Sequence, residues 1–199
     1  RNGHVEIVTE LLANAARPNV FTKSKQVPLH FACAGPGPQT GTRQNGQQSN
    51  SVSCATALLT AKATLKALDA NKQSVLHHSA RAGNRLTLQF LLSQPNPGLS
   101  ARDRWQRTAL HWACLNGHVA CVEELLKAKA SPQPPMAPKR VRARMTRLDH
   151  QSPLHLATRT NIAGAESGLE IMRLLLAAKA DANDNTSDSA QTPLQVLAV

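Results

Sequence analysis

One short pattern recurs along this chain, and a pattern that returns at long spacing constrains the fold more than any other feature. Val27-Pro28-Leu29-His30-Phe31-Ala32, Ser74-Val75-Leu76-His77-His78-Ser79, Thr108-Ala109-Leu110-His111-Trp112-Ala113, Ser152-Pro153-Leu154-His155-Leu156-Ala157 and Thr192-Pro193-Leu194-Gln195 align position for position. A second set follows the same order: segments 3–12, 50–59, 83–92, 117–126 and 167–176 each end in Leu-Leu. The motif leucines stand at 29, 76, 110, 154 and 194, giving spacings of 47, 34, 44 and 40. All exceed a unit of about 33 residues. The excess falls in stretches about 35–49, 132–146 and 161–166, which are polar or rich in Gly or Pro, as surface insertions are.

Each unit carries the marks of two helices. Ser74, Thr108, Ser152 and Thr192 precede the first helix as N-caps, and a Thr or Ser is the expected cap of every unit. Pro28, Pro153 and Pro193 occupy the first turn, where a missing N–H costs nothing. Leu110 and Ala113 share one face, and Val119, Val122 and Leu126 predict the apolar stripe of a second helix. A helix pair this small buries too little apolar surface to stand alone, so neighbours must stack. Aromatics are 3% of the chain, so the core is built from Leu, Ala and Val, residues that suit closely packed helices.

These residues resemble the ankyrin repeat, whose T-P-L-H-x-A signature and length they match. The resemblance is sharpest over 98–131, where Ala101-Arg102-Asp103 leads to Thr108-Ala109-Leu110-His111, Gly117-His118 and Leu125-Leu126. It implies an all-α solenoid of stacked helix–turn–helix units with projecting turns and three long loop insertions. The array divides into a partial repeat 1–20, a repeat 21–66 with loop 35–49, repeats 67–97 and 98–131, a basic insertion 132–148, a repeat 149–183 and a partial repeat 184–199. The half-units at both ends read as a segment of a longer array. The resemblance also implies that His30, His77, His111 and His155 are structural, each bonding turn backbone and tying repeats together. His4 and His118, after the turn glycine, read the same way. The turn glycine itself is replaced by Lys25, Lys72 and Gln106, so those turns are expected to carry strain if they need positive φ.

Catalysis has little to work with. The sequence holds no G-x-S-x-G and no Walker motif, and Pro36 and Pro38 remove amides that a phosphate cradle needs. No Cys or carboxylate stands at ligand spacing from His77-His78, so no metal and no cofactor is expected. Cys33, Cys54, Cys114 and Cys121 form no CxxC pair and read as buried free thiols. With no apolar run of about 18 residues and no signal peptide, an intracellular place, cytoplasmic or nuclear, is expected without membrane insertion.

What remains is binding. The resemblance implies a non-catalytic module that recognises a protein through its concave face and turn tips. Candidate contacts are Lys23, Lys25, Asn71, Lys72, Arg102, Arg104, Trp105 and Arg107 on the turns, with Arg81, Leu115, Asn116 and Arg159 on the first helices. A formal charge of +11 favours an acidic partner. Trp105 among three arginines reads either as a binding anchor or as a ring folded back on its neighbouring turn under an arginine. Two alternatives stand beside this reading: a targeting module of a larger enzyme, and nucleic-acid binding through the basic run 139–147. The run Lys139-Arg140-Val141-Arg142 resembles a short nuclear-import signal. It holds no aromatic to stack on bases, which makes nucleic acid the weaker partner.

Overall fold

The computed structural model describes residues 4–35, 45–134, 151–159, 165–184 and 191–197. The basic run 139–147 lies outside them. Every regular element among the described residues is helical. They group into two compact units, Arg1–Gly98 and Leu99–Val199.

The first unit holds α1 (Val5–Ala13), α2 (Pro28–Cys33), α3 (Asn45–Thr60), α4 (Val75–Ala82) and α5 (Arg85–Leu92). First helices stack on each other, α2 on α4, and second helices do the same, α1 on α3 and α3 on α5. Within a repeat, α2 packs on α3 and α4 on α5. The second unit repeats the scheme with α6 (Ala109–Leu115), α7 (Val119–Lys127), α8 (Pro153–Thr158), α9 (Ala165–Ala177) and α10 (Pro193–Leu197). There α6, α8 and α10 form one layer and α7 and α9 the other.

The motif leucines Leu29, Leu76, Leu110 and Leu154 are buried, as are Leu58, Leu91, Leu125 and Leu175, the first of four of the Leu-Leu pairs, whereas Leu11 of the first pair and the motif residue Leu194 are exposed. The stripe on α7 is shifted from expectation. Cys121, Val122 and Leu125 are buried, while Val119 and Leu126 are only half covered. The reason is that a second helix is pressed by its own first helix and by the next second helix at once, which turns its buried face by about one residue. A second difference concerns the insertion 35–49. Helix α3 begins at Asn45, so its polar last residues belong to a long helix. Asn, Gln and Ser suggest a loop by composition, but a modest helix propensity does not stop them from continuing a helix.

The capping is also not what was expected. Val27 stands where a Thr or Ser was predicted, and α2 starts there regardless. The motif histidine explains this. Nδ1 of His30, His77 and His111 accepts the backbone N–H of Val27, Ser74 and Thr108 at 3.1, 3.1 and 3.0 Å. Nε2 is then the protonated nitrogen. That of His30 donates to the Gln73 carbonyl at 3.2 Å and that of His155 to the Gln191 carbonyl at 2.8 Å, each in the turn of the following repeat. The His30 ring thus closes its own helix start and ties it to the next turn, the role the resemblance implied, while His77 and His111 show the first of these bonds and His155 the second.

Candidate functional site

The turns that precede the first helices share one construction. In turn 103–107, Asp103 is buried. Its Oδ1 accepts the amides of Trp105 and Arg107, both at 2.9 Å, and its Oδ2 accepts the indole N–H of Trp112 at 2.8 Å. In turn 69–73, Asp69 Oδ1 accepts the amides of Asn71 and Gln73, both at 2.8 Å, and Oδ2 faces His78 Nε2 at 3.1 Å. Turn 22–26 uses a hydroxyl instead: Thr22 Oγ1 accepts the Gln26 amide at 3.1 Å. Such side-chain acceptors replace the water that a tight turn's amides would otherwise need.

Lys25, Lys72 and Gln106 do adopt positive φ, at 55°, 59° and 61°. The turns keep the left-handed geometry that glycine would take without strain, so their replacement stores energy without changing their shape.

In the second unit the anchored turn carries a layered cation–aromatic group. Trp105 is half-buried and meets the buried Trp112 edge to face, with centroids 6.0 Å apart and planes at 73°. The Arg104 guanidinium lies 5.3 Å from the Trp105 ring centre and that of Arg107 lies 5.3 Å from the Trp112 ring centre. Trp105 thus folds back, with an arginine beside its ring, but on Trp112 of α6 in its own repeat and not on a neighbouring turn, and it stays partly exposed next to the exposed Arg104. Arg102 is half-buried, and desolvation lowers its pKa from the ordinary arginine value. Leu115 and Asn116, at the end of α6, are half-buried. The Asn116 amide donates to the Trp112 carbonyl at 2.8 Å, so it closes α6 as well as facing outward. Arg159 is exposed after α8 and donates to Gln151 Oε1 at 3.2 Å.

In the first unit two turns lie side by side, joined by a 2.8 Å bond from the Ala70 amide to the Ser24 carbonyl. Lys23, Lys25 and Lys72 are exposed on this pair of turns, Asn71 is half-buried beside them, and Arg81 is exposed on the last turn of α4. Five of the candidates thus lie in the first unit and seven in the second.

Sequence reasoning missed Asp69 and Asp103, whose carboxylates shape the turns. A signal was present: each stands nine residues before a ring N–H donor, His78 or Trp112, in the position after the motif histidine. Where that position holds Phe31, the turn has Thr22 and no carboxylate.

The four cysteines are buried. Burial pushes the Cys33 thiol up to about 12 and raises those of Cys54 and Cys114, which leaves little thiolate for chemistry or metal binding. Among the described residues no three His, Cys, Asp or Glu side chains group as a metal site, and no helix is long and apolar enough to cross a membrane.

Comparison with known proteins agrees with this architecture. A family model described as ankyrin repeats in three copies matches residues 46–136, and one described as an ankyrin repeat matches residues 149–187. Together they take in well over half of the chain. Among solved structures, the crystal structure of EF0377, an ankyrin repeat protein, matches with a TM-score of 0.73 at 18% identity, covering 98% of this chain and 85% of that one. At that identity the likeness is one of fold.

Proposed function

The chain belongs to the ankyrin-repeat family, whose repeats are generally non-catalytic protein–protein interaction modules, and on that footing we propose that it binds a partner protein through its projecting turns and the exposed ends of its first helices. The partner surface is acidic and carries an apolar side chain. The observation that carries this reading is the group on turn 103–107, where exposed Arg104 stacks on a half-exposed Trp105 held by Trp112. Trp and Arg on rigid supports are the residue types that dominate binding energy. Arg102, Arg104 and Arg107 supply charge that steers an acidic surface, and Lys23, Lys25 and Lys72 offer a second basic group on the first unit. Asn71, Arg81, Leu115, Asn116 and Arg159 complete the proposed contacts.

The test is kinetic. A partner captured from cell extract is titrated against the wild type and Arg104→Glu at two salt concentrations. Association with the variant is expected to be slower and less salt-dependent, with dissociation little changed. An unchanged association rate would place the interface away from this turn. Binding of the chain to nucleic acid in place of a protein, with affinity falling steeply with salt, would favour the basic run 139–147 instead.

A further inference from the structure

Turn 69–73 is gripped from inside by two histidines, one at each end. His78 Nε2 lies 3.1 Å from Asp69 Oδ2 at the start of the turn, and His30 Nε2 lies 3.2 Å from the Gln73 carbonyl oxygen at its end. The two imidazoles meet edge to face with centroids 5.0 Å apart, and both are buried. No other pair of described turns offers so direct a contrast as this one and turn 103–107. There the same carboxylate, Asp103, receives its N–H from the indole of Trp112, a donor that does not titrate.

Neither histidine takes up a second proton easily. His30 uses both ring nitrogens in its neutral form, since Nδ1 accepts the Val27 amide at 3.1 Å. A proton on Nδ1 would set two N–H groups against each other and break the start of α2. A proton on His78 would place a cation in a site closed to water, beside a second imidazole and facing Arg81 of α4. Asp69, from the turn, is the carboxylate that opposes this cost for both rings.

We propose that turn 69–73 is an acid-sensitive latch, closed while His30 and His78 are neutral and released when they take up protons. Burial is the largest influence on both rings and lowers each from the ordinary value of 6.5, with the Gln73 carbonyl at His30 and the Asp69 carboxylate at His78 acting the other way. The open turn exposes the rings and returns them to that ordinary value, so the open state binds more protons. The closed state therefore keeps its full stability above about pH 6.5 and loses it as pH falls from there toward the lowered values. Release frees Asn71 and Lys72. As control of partner binding, the latch rests on the function proposed above; as a conformational change, it does not.

The experiment is amide hydrogen exchange by NMR on the full chain, without any partner, corrected for the intrinsic pH dependence of exchange. Between about pH 7 and about pH 5.5, protection of the Asn71 and Gln73 amides is expected to fall by up to about tenfold in all for each ring that is protonated on opening. The amides of Trp105 and Arg107, and those within α4 and α5, keep theirs. In His78→Trp, which installs the donor found in the second unit, the acid dependence shrinks to the share of His30. Should that variant not fold, the imidazole proton shifts of the wild type are titrated, and apparent pKa values below 6.5 are expected for both rings. Equal loss in turns 69–73 and 103–107, loss spread over all of α4 and α5, undiminished loss in His78→Trp, or ring pKa values at or above 6.5 would each overturn the latch. Intact pH-dependent exchange with no effect of acid on partner binding would instead refute the use of this turn as a contact.

Discussion

The indole N–H of Trp112 reaches back nine residues to Oδ2 of Asp103 at 2.8 Å, so one side chain of helix α6 holds the carboxylate that organises the turn before it. A double-mutant cycle on Trp112→Phe and Asp103→Ala measures that link. A coupling energy of about 0.5–3 kcal/mol is expected from urea denaturation. Additive losses would show that the turn is held by other bonds.

Leu110 is 1% exposed between α6 and its neighbours. Leu110→Ala opens a cavity there and is expected to cost about 2–5 kcal/mol. A loss below about 1 kcal/mol would contradict the repeat register.

Thr87 is a buried polar residue on the inner face of α5, and its Oγ1 lacks a hydrogen-bond partner, as does Nδ2 of Asn84 one turn earlier. The matching positions hold Cys54, Cys121 and Ile171, which are buried, and Ile7, which is exposed. Thr87→Val removes the unpaired hydroxyl at nearly constant volume and is expected to stabilise the fold by about 1 kcal/mol. A lower melting temperature would mean that the hydroxyl is satisfied in solution.

Gln106 sits at φ 61°. Gln106→Gly relieves about 1–2 kcal/mol of left-handed strain, but it also loosens the unfolded chain by about 0.4–1 kcal/mol. A net gain of up to about 1 kcal/mol is expected in thermal or urea unfolding. A net loss would show that the Gln106 side chain contributes contacts of its own.

Much of this was legible beforehand. The buried leucines, the structural histidines and the strained turn positions all follow from one aligned motif, because each answers to a fixed place in the repeat. What escaped depends on contacts the motif does not encode. Asp69 and Asp103 bond to backbone amides, which leave no trace in side-chain pattern beyond a nine-residue spacing to a ring donor. The buried face of α7 turned because two neighbours press it, and a single-helix stripe accounts for one. Trp105 was ambiguous in the sequence because its surroundings depend on Trp112, seven residues on and in a different element.

The central claim, that turn 103–107 is a protein-binding anchor, is tested most directly by one titration of a captured partner against Trp105→Ala, paired with urea denaturation of the same variant. Binding is expected to weaken by about 2 kcal/mol or more. The loss of the edge-to-face contact with Trp112 is expected to cost stability only about 0.5–1.5 kcal/mol. Unchanged affinity together with a large loss of stability would contradict the claim, and would make Trp105 a packing residue of the turn.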